Sequence, residues 1–167
     1  MRRSFLAFVL VLVASANSFA ADEKFSSEAG HFSVAFLGKP VEVSKEIESP
    51  AGKLTLFIAR MEIKKDQAWM VIYNDYPESP ANEKPQTRLE RIRDGTKGSG
   101  TILEDKEIAL GKAPGRGYLL DRGDGFARAR IFLSNKRLYQ VIVAGKTKEQ
   151  VSSKAAEEFL DSFKIAE

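Results

Sequence analysis

The chain has 167 residues, a formal charge of +3, no cysteine and one histidine. The missing cysteine excludes disulfide scaffolds, thiolate metal sites, iron–sulfur clusters and cysteine nucleophiles, and a single histidine excludes any site that needs two. With 43% hydrophobic and 29% charged residues the chain has the composition of one globular domain, not of a disordered tail.

Residues 1–20 read as an export address. Arg2 and Arg3 make a positive start, Phe5 to Ala14 is an unbroken apolar run, and Ser18-Phe19-Ala20 sets small residues at the −3 and −1 positions of a cleavage site before Ala21. Spanning a bilayer takes about 20 apolar residues, so the run predicts a secretory signal peptide rather than an anchor. No cysteine follows it for lipid attachment, and no second hydrophobic segment exists, so no stable membrane span is expected after cleavage. The expected location is the bacterial periplasm or the secreted space. Removing 20 of the 167 residues leaves 147, and losing Arg2 and Arg3 with no acid brings +3 to +1. A nearly neutral exported domain is not expected to bind nucleic acid.

Past that point the pattern is mainly β. Residues 21–29 are polar and are expected to fray. His31 to Phe36 alternates, with Phe32, Val34 and Phe36 on one side, which is the period of a half-buried strand. Gly38-Lys39-Pro40 marks a turn, and Val41 to Ile47 predicts a second strand with Val41, Val43 and Ile47 at even steps. After Ser49-Pro50-Ala51-Gly52, Lys53 to Ile63 carries Leu54, Leu56 and Ile58 on one face and Phe57, Ala59, Met61 and Ile63 on the other. Gln67 to Tyr73 follows a Lys64-Lys65-Asp66 turn, so the first half predicts an antiparallel meander.

Asn74 to Lys84 reads as a loop within the domain. A helix is predicted from Lys84 to Asp94, with Asn82 as its cap, Pro85 in its first turn, Gly95 just past its end, and a thin stripe of Leu89 and Ile92. Strands follow at Thr101 to Leu110, Gly117 to Arg122, Phe126 to Leu133 and Arg137 to Ala144. Asp124-Gly125 and Ser134-Asn135-Lys136 make the tight turns between the last three. A final helix from Lys148 to Phe163 starts at a capping-box pattern, Thr147 with Gln150. It lines Val151, Ala155, Phe159, Leu160 and Phe163 along one side. The expected fold class is α+β: one domain over 21–167, an antiparallel sheet of roughly seven to eight strands with a mid-chain and a C-terminal helix packed on it.

Four stretches carry a resemblance. They are Phe32-Ser33-Val34-Ala35-Phe36 with Gly38-Lys39-Pro40; Leu110-Gly111-Lys112-Ala113-Pro114-Gly115-Arg116-Gly117; Arg128 to Leu133 running into Arg137 to Val143; and Phe159-Leu160-Asp161-Ser162-Phe163-Lys164. In pattern the chain resembles small exported bacterial proteins with a PsbP-like fold, the fold of a photosystem II extrinsic subunit. The likeness spans about residues 30–165. It implies an antiparallel sheet flanked by helices and an adaptor-like, non-enzymatic role, and it brings no catalytic signature and no photosynthetic setting with it.

Candidate chemistry is sparse. His31 has no companion ligand and opens a strand. Ser99 lies between glycines with no identifiable base, and no nucleophile elbow, P-loop or dinucleotide fingerprint is present. Gly115-Arg116-Gly117 fails at the third glycine and opens a strand where the fingerprint opens a helix. Arg122-Gly123-Asp124 is an adhesion-type tripeptide in a hairpin that favours Asp and Gly for its own sake. The two aspartates there, Asp121 and Asp124, lack calcium-loop spacing. No catalytic residue, cofactor or metal site is expected.

The candidate binding residues are Arg128, Arg130, Arg137 and Tyr139. On a strand Phe126, Arg128, Arg130 and Phe132 share one face, and Tyr139 can lie beside Arg130 on the next strand, depending on register. From Arg116 to Arg137 there are six basic and two acidic residues. Arginines beside aromatics suit a small anionic ligand or an acidic protein partner, or they cover the rings with their stems and pair with acids across strands. The expected function is an exported non-catalytic binding or assembly module. The alternatives are a carboxylate-based hydrolase, for which only Asp105 and Glu107 of the Glu104–Glu107 cluster share a strand face, and an envelope structural protein docking through a sheet edge.

Overall fold

The computed structural model describes residues 24–49, 52–64, 66–76 and 83–166. The expected signal peptide and the Asn82 cap lie outside them. Period-two alternation in the sequence becomes ten strands among the described residues: β1 Phe25–Ser27, β2 Phe32–Val34, β3 Val41–Ser49, β4 Gly52–Lys64, β5 Gln67–Asp75, β6 Thr101–Leu110, β7 Ala113–Asp121, β8 Phe126–Ser134, β9 Arg137–Gly145 and β10 Lys164–Ile165. Three helices join them: α1 Pro85–Lys97, α2 Lys148–Val151 and α3 Lys154–Ser162. The α+β class, the antiparallel sheet and both helix positions agree with the sequence reading.

A seven-stranded sheet runs in the order β3-β4-β5-β9-β8-β7-β6, with every pair antiparallel. Its two meanders, β3–β5 and β6–β9, join where β5 pairs with β9, which leaves β3 and β6 as the edges. A second sheet, β1-β2-β10, lies apart from it. Side chains directly opposite each other share a face, so register sorts the core into two clusters. On one face Trp69, Val71, Tyr73, Tyr139, Val141 and Val143 pack with Phe32 of β2, Phe36 just after it, Phe159 of α3 and Phe163 at its C-cap. Trp69 stacks on Phe159 at 4.8 Å between ring centroids. On the other face Tyr118, Leu120, Ala129, Ile131 and Leu138 pack with Leu89 of α1.

Four expectations need correction. Residues 25–27 form β1 instead of fraying, because Phe25 packs its ring on Phe32 and Phe36 at 5.9 and 5.8 Å. The strand expected at His31–Phe36 shortens to β2, and its home is the small sheet; His31 itself has φ 51° and belongs to the preceding turn. Helix α1 runs through Gly95 to Lys97 and stops at Gly98, whose φ is 56°. A glycine inside a helix costs only about 1 kcal/mol, too little to end it. Its N-cap is Lys84, which makes no side-chain capping bond. The C-terminal helix is two helices. The Thr147–Gln150 capping box starts α2, but Ser153 accepts the Ala156 N–H and starts α3 afresh. The restart shifts the helical phase, so Ala156 is buried and Ala155 exposed.

Strand β7 also begins earlier than Gly117, at Ala113, after a Gly111-Lys112 turn in which Gly111 has φ 58°. Pro114 and two glycines argue against a strand there on sequence grounds. The register explains Gly115: a Cβ at that position would lie 2.5 Å from the Phe132 ring.

Candidate functional site

The four candidate residues fall on adjacent strands but not in one site. Phe126, Arg128, Arg130 and Phe132 share a face of β8 as expected. Pairing sets Arg128 opposite Val143, Arg130 opposite Val141, Phe132 opposite Tyr139 and Ser134 opposite Arg137. Tyr139 is therefore displaced from Arg130 by two residues, and its hydroxyl donates to the Gly30 carbonyl at 2.8 Å in the core.

Arg128 and Arg130 lie beneath the C-terminal helices. Arg128 donates to Glu104 of β6 at 3.1 Å and to Ser152 Oγ at 3.0 Å, and its Nε stands 3.3 Å from Glu157. Arg130 donates to Glu157 at 3.0 Å and to Asp161 at 2.5 Å. An alternating ladder of acid and arginine thus ties β6, β8 and α3 together. Burial works to raise the Glu104 carboxyl, but bonds and charge from Arg128, with Lys148 nearby, hold it below the ordinary value. Arg137 lies at the other end, donating to both oxygens of Asp75 at 2.6 and 2.8 Å and to the Ala29 carbonyl at 2.7 Å. Its guanidinium sits 5.1 Å over the Tyr73 ring. The Arg137 bonds lower the Asp75 carboxyl against a smaller burial effect.

The opposite face holds a clamp whose centre the sequence did not single out. Arg116 on β7 donates to both oxygens of Asp105 at 2.7 and 2.6 Å, and its Nη1 lies 3.2 Å from Glu90 of α1 and 4.0 Å from Glu107. Arg93 of α1 bonds the same Asp105 carboxylate. Asp105 and Glu107 do share this face, opposite Tyr118 and Arg116. Burial tends to raise the Asp105 carboxyl, yet Arg116 and Arg93 together hold it below the ordinary value. A carboxylate held by three guanidinium bonds, with its proton affinity lowered, has no proton to give near neutrality and keeps one of about four lone-pair sites toward a substrate. The signal available in sequence was the alternation Glu90, Arg93, Asp105, Glu107, Arg116, which only the α1–β7 contact assembles.

The remaining motifs stay at the surface. His31 is exposed at its turn. Arg122-Gly123-Asp124 lies in the exposed loop between β7 and β8, where the Arg122 N–H donates to the Gly125 carbonyl at 2.8 Å. Among the described residues no group of three or more metal-ligating side chains converges, and no helix is long and apolar enough to cross a membrane.

The sheet is covered unevenly. Helix α1 lies on β6, β7 and β8. On that same face the row Val43–Ile58–Ile72 crosses β3, β4 and β5, next to the row Val41–Arg60–Met70. Val41 is 60% and Val43 44% exposed, and Ile58, Met70 and Ile72 are half-buried. On the other face of β3, Glu42, Ser44, Glu46 and Glu48 alternate, with Phe57 directly opposite Ser44. Phe57 stacks on Tyr73 at 4.9 Å and remains 42% exposed. Beside it a cleft of about 240 Å³ opens between the two sheets, lined by Phe32, Glu42, Ser44, Phe57 and Tyr73 among others.

No family model matches the chain, and no curated protein matches it. In three dimensions it is similar to the solution structure of cyanobacterial PsbP (CyanoP) from Synechocystis sp. PCC 6803, at 12% identity and a TM-score of 0.56, over 92% of this chain and 98% of that one. The fold is PsbP-like, as the sequence resemblance implied; at that identity the likeness speaks for the fold alone.

Proposed function

We propose that the chain is an exported, non-catalytic binding or assembly module that presents sheet surface to a protein partner. One observation carries this reading. The charged groups that chemistry would need are spent on one another, in the Arg116–Asp105 and Arg128–Glu157 clamps, while Val41 and Val43 of β3 and Phe57 of β4 stay exposed. Export rests on the three-part pattern of residues 1–20. The hydrolase alternative loses support from the engagement of Asp105 by Arg116 and Arg93. A small anion or an acidic partner on Arg128, Arg130, Arg137 and Tyr139 is the narrower form of the proposal. It asks the ligand to displace Glu104, Glu157, Asp161 or Asp75.

Site-specific photo-crosslinking in the native cell envelope tests it. A probe replacing Val43 is expected to give a discrete protein adduct, and a probe at the exposed Thr87 of α1 none. N-terminal sequencing of the exported protein is expected to start at Ala21. Adducts of equal yield from both positions, or from neither, overturn the reading. Retention of the partner by Arg128→Ala/Arg130→Ala assigns binding to the β3–β5 side; its loss from a folded double variant assigns it to the arginine face.

A further inference from the structure

The free edge of β3 has a recognition chemistry of its own. An outer strand leaves a row of main-chain N–H and C=O groups without a neighbour, and natural sheets cap such edges or use them. Among the described residues, strand β3 pairs only with β4, along all nine of its residues. Its two sides differ sharply. One carries Val41, Val43 and Ile47 with Lys45 between, and the other carries Glu42, Ser44, Glu46 and Glu48. Glu48 stands 3.7 Å from Lys53, whereas Glu42 and Glu46 form no ion pair with a described residue. Glu42 and Ser44 also rim the cleft against the exposed Phe57 ring.

Building on the binding-module reading, we propose that the β3 edge receives an extended segment of a partner protein in which basic and apolar residues alternate, adding an eighth strand. The apolar residues of that segment continue the Val41–Val43–Ile47 side. Its Lys or Arg side chains meet Glu42 and Glu46 across the strand pair, and one stem lies along Phe57 in the cleft. Charge complementarity selects this occupant over a second copy of the chain. An antiparallel second β3 would set the acidic row beside another acidic row, and a parallel one would set it beside the valine row. Like charges directly opposite oppose pairing.

The test uses the exported protein and nine-residue peptides of alternating residues, matched to the nine residues of β3. A Lys–Val peptide is expected to bind roughly tenfold more tightly than its Glu–Val counterpart. The same Lys–Val peptide with methylated backbone nitrogens is expected to lose binding, since strand addition needs those N–H groups. Glu42→Lys/Glu46→Lys is expected to reverse the preference and Glu42→Gln/Glu46→Gln to abolish it, with thermal unfolding showing both variants folded. Equal binding of the acidic and basic peptides, or undiminished binding of the methylated one, overturns the proposal. The Val43 crosslink separates this failure from that of the underlying reading. If the adduct forms equally in Glu42→Lys/Glu46→Lys, the module binds its partner but not through an acidic edge.

Discussion

The two ends of the seven-stranded sheet solve the edge problem in different ways. At the β6–β8 end β7 and β8 are covered on both faces, while the edge strand β6 keeps Leu103 44% exposed. Helix α1 buries Leu89 on one face, α2 and α3 lie on the other, and arginine clamps fasten the edge strand β6 through Asp105 on one side and Glu104 on the other. At the β3–β4 end, among the described residues, neither clamp nor helix α1 is present, and Val41, Val43 and Phe57 stay exposed. The difference teaches that Arg116, Arg128 and Arg130, half of the basic residues between Arg116 and Arg137, are internal mortar at one end. The surface free to act lies at the other end, where β3 carries three glutamates and one lysine.

The largest expected effect comes from removing the cover. Leu89→Ala takes a side chain with no exposed surface out of the α1-facing core and is expected to cost about 3 kcal/mol in chemical denaturation. A cost of about 0.5 kcal/mol or less, the level of ordinary surface changes, would erase the contrast between the two ends.

Arg116→Ala is next, with an expected loss of about 2 kcal/mol, because it leaves the part-buried Asp105 carboxylate with Arg93 alone and removes the cation shared with Glu90 and Glu107. The clamp also sets a pH dependence. Asp105 is lowered from its ordinary 3.8, so its contribution is complete above that value and is lost as pH falls through the lower folded value. Asp75 and Glu104 shift the same way, more weakly coupled to stability because solvent screens their exposed carboxylates. Unfolding free energy measured in steps below pH 5 is expected to fall less steeply in Asp105→Asn than in the parent chain. Parallel slopes would show that the clamp carries no charge-dependent stability.

How much of this was legible in the sequence follows from the range of each interaction. Period-two alternation is local, so β3, β4, β5, β8 and β9 were readable, as was the shared face of Phe126, Arg128, Arg130 and Phe132. Breaks set by three-dimensional neighbours were not. Pro114 and Gly115 look like strand breakers until Phe132 is found against Gly115, and Ser153 looks like a helical position until it caps α3. The arginines were the hardest to read. Their partners Glu104, Glu157 and Asp161 lie 24 to 31 residues away, beyond any local count of charge. The sequence pointed to sheet docking only as an alternative. The exposed Val41–Val43 edge beside Phe57 emerged only from register and burial together.

The smallest stability effect separates function from folding at the uncovered end. Val43→Thr alters a side chain that is 44% exposed and is expected to change unfolding free energy by about 0.5 kcal/mol or less, and Phe57→Ser, at 42% exposed but stacked on Tyr73, by about 1 kcal/mol. Removing a well-packed β-branched or aromatic side chain would cost several times more. If either variant proves as damaging as Leu89→Ala, these residues pack as core and the β3–β4 end is not spare surface. If both fold as the parent does but lose the Val43-side adduct, their exposure is serving recognition. Thr keeps the branched shape that suits a strand while losing the apolar contact, so that outcome would locate the effect in the side chain and not in the strand itself.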